Sequence, residues 1–357
     1  MHQFKYSSAT KIFITPDNTI LEAMSRIDEG ALHIAIAIDE NQKLIGILTD
    51  GDIRRAILRR VSLNAPVGAI LNRSPLICHR NEGMPRIEEI LQADPSVLRI
   101  PVVDEEDCVV GVFLVEDTVT SAIPAVPVVV MAGGLGERMR PHTETTPKPL
   151  LEVAGKPILQ RTIESLSSQG FQEFIISIRY LGDKIIDYFG DGSKFDVQIK
   201  YIREEDRMGT AGALRMMSAQ LDRPFAVING DIITKADLRN LSHYHRDTNA
   251  VATMCVKEFE FQVPYGVVVQ EDGRLIDLHE KPVLKHLVNA GIYMFDPIAL
   301  KSIPDRGYFD MTTFFETLQK NHPESTNIFP LREYWRDIGN PNDLERVSKE
   351  VLTEEMA

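Results

Sequence analysis

Cysteine is scarce: the chain has three in 357 residues, Cys78, Cys108 and Cys255, at neither disulfide-framework nor zinc-ligand spacing. A reducing compartment and small core roles are therefore expected for them. Long apolar runs are missing too, since no stretch approaches the roughly 20 residues that a membrane helix needs. The opening MHQFKYSSATKIF lacks a basic stretch followed by an apolar core, so it does not read as a secretory signal, and the expected location is the cytoplasm. Basic residues are outnumbered: 39 Lys and Arg face 52 Asp and Glu, a formal net charge of −13. That balance argues against general nucleic-acid binding, which draws affinity from clustered cations facing phosphates. A small phosphorylated ligand held by a local basic cluster remains open.

The length exceeds one ordinary domain and suits two. Between about residues 11 and 120 two similar halves follow one another. In the first, Ile20, Ala23, Met24 and Ile27 fall at helical spacing before HIAIAID, a turn at Glu40 to Lys43, and LIGILTDGDIRRAIL. In the second, RIEEILQ precedes LRIPVVDEED and VVGVFLVEDTV. Each half predicts helix, strand, turn, strand, helix, with Asp and Asn supplying hairpin turns between β-branched runs. The connector SAIPAVP, bracketed by Pro124 and Pro127, then separates a module at 1–122, built from 8–61 and 62–122, from a second domain at 126–357.

The second domain opens with VVVMAG and alternates buried-strand runs with helical patterns: ILQRTIESLSSQ, EFIISI, VQIKYI, a helix from about Ala211, FAVING and LRNLSHYH. Such alternation predicts an α/β fold with a mainly parallel sheet covered on both faces. AVATMCV, YGVVVQ and LVNAGIYMF predict a mixed far side, and a last helix is expected from NPNDLERVSKEV. After the first strand comes GGLGERMRPHTETTPKPLL, Gly133 to Leu151. Glycines there let main-chain N–H groups approach phosphates, and Arg138 and Lys148 add two cations. A dinucleotide fold needs GxGxxG running directly into a helix. Pro141, Pro147 and Pro149 forbid that continuation, which counts against a dinucleotide-dependent oxidoreductase.

This loop resembles the signature GGxGxRxxPxTxxxPKP of the sugar-1-phosphate nucleotidyltransferases. GTAGAL at Gly209 to Leu214, NGD at Asn229 to Asp231, EKP at Glu280 to Pro282 followed by NAGIY, and WRDIG at Trp335 to Gly339 occur in the family's order. The resemblance covers Val128 onward and implies a Rossmann-like nucleotidyltransferase domain. It implies that Ala132, Gly133, Gly134, Gly136, Gly209, Thr210 and Gly212 bind the nucleotide, and that Arg138, Lys148 and Asp231 are catalytic. Asp231 and Asp337 are implied ligands of Mg2+, and Glu280, Lys281, Asn289 and Gly291 line the sugar-phosphate pocket. Glu204 or Glu205 is expected to reach the base. His142 reads as loop-stabilising, and His243 and His245, two apart on a helix, as surface residues.

In the N-terminal halves, GILTDGDIRRA resembles the tandem CBS modules. By that resemblance Thr49 and Asp52 meet the ribose or phosphate of a regulatory adenine or guanine nucleotide; read from the residues alone, they cap a helix. The second half has Leu114 where the hydroxyl residue belongs and matches only at Asp117, so one nucleotide per pair is expected. A module without catalytic groups also suggests a homo-oligomer. The implied reaction joins an NTP, GTP preferred over UTP, CTP, dTTP or ATP, to a sugar 1-phosphate and releases pyrophosphate. A catalytically decayed nucleotide sensor is the alternative. The presence together of Arg138, Lys148, Asp231 and Asp337 weighs against it.

Overall fold

A short run of Ile and Ala bounded by polar residues suits a strand buried on both faces, and in the computed structural model Ile34–Ile38, with Ile34 to Ala37 fully buried, pairs antiparallel with Leu44–Thr49. The structure describes residues 4–7, 9–30, 32, 34–59, 61–93, 97, 99–115 and 126–355. Contacts divide the chain into two units, Met1–Ala122 and Ile123–Ala357.

In the first unit the helix Ile20–Gly30 buries Ile20, Ala23 and Ile27, the stripe that helical spacing picks out. Its strand pair is followed by the helix Asp50–Leu58. The second half repeats this arrangement with Gly83–Ala93, Arg99–Val103 and Val109–Val115. The closing helix expected for this half, with Asp117, falls outside the described residues. One apolar cluster joins Ile34, Ile36 and Ile47 of the first half to Val103, Val109 and Val112 of the second, so the halves share a core. Their hairpin turns also pair, Leu44 N–H donating to Asp107 O and Val109 N–H to Gln42 O. Cys108 sits in that turn half-buried, its thiol facing Asn41 O, and not in the core. A turn residue that points along the surface has no core to enter. Cys78 and Cys255 are buried, as expected.

The second unit is built on seven strands, β1 (Val128–Met131), β2 (Glu173–Ile178), β3 (Gln198–Arg203), β4 (Phe225–Asn229), β5 (Ala252–Gln262), β6 (Val283–Phe295) and β7 (Thr326–Leu331). Their order is β3-β2-β1-β4-β6-β5-β7. Pairing is parallel from β3 through β4, antiparallel on both sides of β6, and parallel again between β5 and β7. Helices Ile158–Ser168, Gly182–Phe189 and Leu238–Asp247 cover one face. The 3₁₀ segment Gly212–Gln220 and the helix Met311–Asn321 cover the other. The result is a three-layer α/β unit. Phe314 and Phe295 stack at 5.2 Å in that second core, both fully buried. Truncating either would cost about 3–5 kcal/mol.

One expectation fails here. His245 is buried, because it follows Leu238 and Leu241 on the helix stripe that packs against the sheet. Its Nδ1 meets Thr253 Oγ1 at 2.8 Å, and Nε2 has no hydrogen-bond partner. His243 is half-buried.

Candidate active site

Open parallel sheets bind ligands beyond the carboxyl ends of their strands. β1 and β4 end side by side at Met131 and Asn229, and each runs straight into a loop. From β1 the chain enters the glycine loop, which is stitched in place from several sides. Arg179 Nε donates to Gly133 O at 3.3 Å, Thr143 Oγ1 to Gly136 O at 2.8 Å, and Tyr180 OH to Thr143 O at 3.1 Å. Pro147 and Pro149 close a single 3₁₀ turn, Lys148–Leu150, in place of a longer helix. That turn aims Lys148 inward. Its Nζ lies 2.5 Å from Asp231 Oδ2, with only 11% of the Lys148 side chain exposed.

These elements enclose an open cleft of about 470 Å³. The implied residues Ala132, Gly133, Gly134, Gly136, Arg138, Lys148, Gly209, Thr210 and Asp231 form part of its walls. Two of the glycines have visible reasons. A Cβ on Gly133 would stand 2.4 Å from Glu204 Oε1, so glycine is what lets the loop lie against that carboxylate. Gly209 has φ +81° and would drive a Cβ to 2.5 Å from Phe309 O. There the GTAG segment is clasped to the strand of residues before Met311–Asn321. Ala211 and Gly212 N–H both donate to Phe309 O, and Met311 N–H donates to Thr210 Oγ1. Gly212 serves this clasp and does not line the cleft.

Of the two glutamates considered for the base, Glu204 is the one in the cleft wall. It is buried, and Ser177 Oγ donates to its Oε1 at 2.6 Å. Glu205 is exposed.

The second aspartate arrives through a short ladder. Ile232–Thr234 pairs antiparallel with Trp335–Asp337, placing Asp337 opposite Ile232, and Ile338 N–H donates to Asp231 O at 3.0 Å. Asp231 and Asp337 therefore share one rim. Although Asp337 keeps an exposed side, protein atoms crowd its carboxylate. Desolvation first and the Asp231 charge second raise its pKa, while Lys148 and Arg138 oppose the shift.

The four implied sugar residues lie apart from these walls. Glu280 and Lys281 are exposed, 73% and 59%, with Nζ and Oε1 4.0 Å apart, and neither lines the cleft. Asn289 and Gly291 stand where β6 leaves the sheet and do not line the cleft themselves. Asn289 Oδ1 accepts from Gly291 N–H at 2.8 Å, and Gly291 backs onto the side chain of Asn229.

Arg179, Arg207 and Tyr308 line the cleft without having been singled out from the sequence. Arg207 lies over the Tyr308 ring, 5.7 Å from its centroid. Nothing in the spacing brings residues a hundred positions apart together; only the clasp at Phe309 does. Asn229 also lines the cleft, its Oδ1 buried and unpartnered. His142 is exposed outside it.

In the first unit Thr49 and Asp52 form a reciprocal capping box. Asp52 Oδ2 accepts from Thr49 N–H at 2.8 Å and from Thr49 Oγ1 at 2.7 Å, while Arg55 holds Oδ1 at 2.6 Å.

The family model for nucleotidyl transferase matches residues 127–354. The chain belongs to the nucleotidyl transferase family. The CBS domain model matches this family member twice, at 8–59 and 67–122. A relative from Sulfolobus acidocaldarius, provisionally named a mannose-1-phosphate guanyltransferase, is 34% identical over 232 residues, 64% of each chain. The bifunctional protein GlmU of Methanocaldococcus jannaschii is 37% identical over 63% of this chain and 54% of its own. A UTP–glucose-1-phosphate uridylyltransferase from Synechocystis is 31% identical over 64% of this chain and 63% of its own. The chain thus spans between 54% and 64% of the length of these relatives. A crystal structure from Bacillus anthracis, provisionally named a glucose-1-phosphate thymidylyltransferase, superposes with a TM-score of 0.52 at 22% identity. The match covers 63% of this chain and 95% of that one, and it supports the fold.

Proposed function

We propose that this nucleotidyl transferase moves a guanylyl group from GTP to a sugar 1-phosphate. An oxygen of the sugar phosphate attacks the α-phosphorus, the bond from that phosphorus to the bridging α–β oxygen breaks, and pyrophosphate leaves. No covalent nucleophile is required, because the attacking oxygen already carries charge. Catalysis reduces to positioning and charge neutralisation. Loop N–H groups and Arg138 take the β and γ phosphates, and Lys148 offsets charge growing around the α-phosphorus.

The observation that carries the guanine assignment is Glu204, a carboxylate in the cleft wall beside the glycine loop. An ionised carboxylate only accepts hydrogen bonds. Guanine presents two adjacent donors, N1–H and N2–H₂. Uracil and thymine place one N–H between two carbonyl oxygens, and adenine and cytosine set an amino group beside a bare ring nitrogen, both of which repel a carboxylate.

Two carboxylates that share one rim, Asp231 just before Ile232–Thr234 and Asp337 on the strand paired with it, make a donor set suited to a hard divalent cation, and Mg2+ is the ion we assign to them. When bound, it neutralises phosphate charge at the rim. Glu280, Lys281, Asn289 and Gly291 are assigned to the sugar phosphate; Gly291, which backs onto the cleft-wall residue Asn229, supports that assignment more directly than the exposed Glu280 and Lys281. For Thr49 and Asp52 the capping box favours the structural reading over a regulatory nucleotide.

The test is Glu204→Gln assayed with GTP and UTP. Loss of the acceptor should lower kcat/KM for GTP by about 10- to 100-fold and narrow the preference over UTP. An unchanged GTP:UTP ratio would remove Glu204 from base recognition.

A further inference from the structure

Arg138, Lys148, Asp231 and Asp337 come from four separate segments, yet a neighbour of each drops into one small apolar cluster. Met139 follows Arg138, Leu151 caps the 3₁₀ turn that opens with Lys148, Ile233 comes shortly after Asp231, and Ile338 follows Asp337. All four are buried in company with Val347 and Val351 of the last helix, Pro341–Glu355. Leu344, Val347 and Val351 recur at the spacing of one helix face, so a single stripe of this helix joins the four segments.

The helix also holds the strand Trp335–Asp337. At its start Asn340 and Asp343 form a capping box: Asp343 N–H donates to Asn340 Oδ1 at 3.1 Å, and Asp343 Oδ2 accepts from the N–H groups of Asn340 and Gly339, each at 3.2 Å. The first turn is thereby fixed close behind Asp337. Nearer the other end, Glu350 reaches back to the strand. Its Oε2 accepts from Tyr334 OH at 2.6 Å and from Arg336 Nε at 3.1 Å, and its Oε1 from Arg336 Nη2 at 3.3 Å. Side chains alternate along a strand, so Arg336 points toward the helix while Trp335 and Asp337 point away from it. Ile233, directly opposite Arg336, accordingly lies in the helix-side cluster, and on the other face Trp335 Nε1 donates to Ala290 O of β6 at 2.8 Å. The strand that bears Asp337 is gripped on both faces.

We propose that Glu350 is a positioning residue: by holding Arg336 and Tyr334 from the last helix, it fixes Asp337 on the rim shared with Asp231. The inference rests on the assignment of those two aspartates to the divalent cation. Glu350 is 29% exposed and Arg336 41%, and an ion pair that open adds little to the stability of the fold. Its effect is geometric. In a site that works by positioning, a small displacement of one ligand costs far more in rate than the pair contributes to folding.

Glu350→Gln tests this, because it keeps an oxygen for Tyr334 and loses the charge that holds Arg336. The chain's one tryptophan, Trp335, lies on the strand itself and reports its release without reference to activity. In Glu350→Gln acrylamide should quench Trp335 more strongly than in the parent. Mn2+ affinity without nucleotide, read by electron paramagnetic resonance, and kcat should each fall by about tenfold, with KM for GTP unchanged. The thermal midpoint should move little. Arg336→Gln should reproduce these changes, and the double variant should add nothing to them, since the pair acts as a unit. Quenching and Mn2+ affinity that stay as in the parent, with or without a fall in the midpoint, or additive losses in the double variant would each overturn the proposal. A parent chain that transfers no nucleotidyl group would overturn the reaction instead, and quenching and Mn2+ affinity would still decide the role of Glu350.

Discussion

The Lys148 ammonium rests 2.5 Å from the Asp231 carboxylate, so the cation assigned to the α-phosphate and the anion assigned to the metal neutralise each other before any ligand arrives. Each ligand must compete for one half of this pair. Lys148→Ala should therefore lower kcat by about two orders of magnitude, the scale of losing an electrostatic stabiliser. The same variant should bind Mn2+ more tightly than the parent in the absence of nucleotide. Steady-state kinetics and Mn2+ titration followed by electron paramagnetic resonance measure the two effects. Weaker Mn2+ binding in the variant would contradict the competition.

Asp337 and Asp231 act as a unit in this account. Asp231→Asn and Asp337→Asn should each abolish most activity, and the double variant should lose little more, because residues that act together are not additive. Burial and Asp231 raise the Asp337 pKa, so with no cation bound the folded chain gains by protonating it. This group's contribution to stability therefore grows as pH falls through its raised pKa and is unfavourable above it. Asp337→Asn should keep or raise the thermal midpoint at neutral pH while activity is lost. A large fall in the midpoint would point to a structural role.

Gly133 is a tight spot. Gly133→Ala must displace Glu204, its Oε1 lying 2.4 Å from the position of the new carbon, and should raise KM for the nucleotide with a smaller effect on KM for the sugar phosphate. Arg207→Ala, at the far wall over Tyr308, should also raise the nucleotide KM, by several-fold. Substrate titrations at fixed co-substrate separate these effects from a general loss of folded protein.

His245 sets an acid limit on stability. Burial pushes its pKa down to about 4 from the ordinary 6.5, against a small opposing effect of Asp296. The unfolded chain then takes up a proton near pH 6.5 that the folded chain refuses until about pH 4. Stability should decline across that window, by on the order of 3 kcal/mol at its acid end. In His245→Gln the decline should be shallower, as read from denaturant melts at pH 7, 6 and 5. Identical slopes in both proteins would show that other groups govern acid unfolding.

Asp52→Ala removes an N-cap partner and should cost about 1 kcal/mol in the first unit. If the cap is all that Thr49 and Asp52 do, calorimetric titration of the full parent chain with AMP and ATP will show no heat that Asp52→Ala abolishes.

The strands of both units could be read from periodicity, because a period of two in Ile-rich hairpins and unbroken apolar runs such as Val128–Met131 leave few alternatives. The glycine loop, Lys148 and Asp231 were legible because the spacing of glycines and prolines dictates a loop after a buried strand. Glu204 could not be told from Glu205 until β3 showed which of two adjacent residues turns inward. Arg207 and Tyr308 meet only through the clasp at Phe309, a long-range contact with no local pattern. His245 was misread because a polar residue on an apolar helix stripe looks, in sequence, like one beside it. The long pairing of β5 with β6 was foreseen only as separate strands; alternation shows a face to be covered without showing by what.

The central claim is guanylyl transfer to a sugar 1-phosphate. Phosphorus NMR of the full chain with Mg2+, a sugar 1-phosphate such as mannose 1-phosphate, and GTP or UTP in parallel tests it directly. The account predicts paired diphosphate-ester resonances of a GDP-sugar, with an equal amount of pyrophosphate, growing at least tenfold faster than the UDP product. No diphosphate ester from any of mannose, glucosamine or heptose 1-phosphate, or faster formation from UTP, would contradict it.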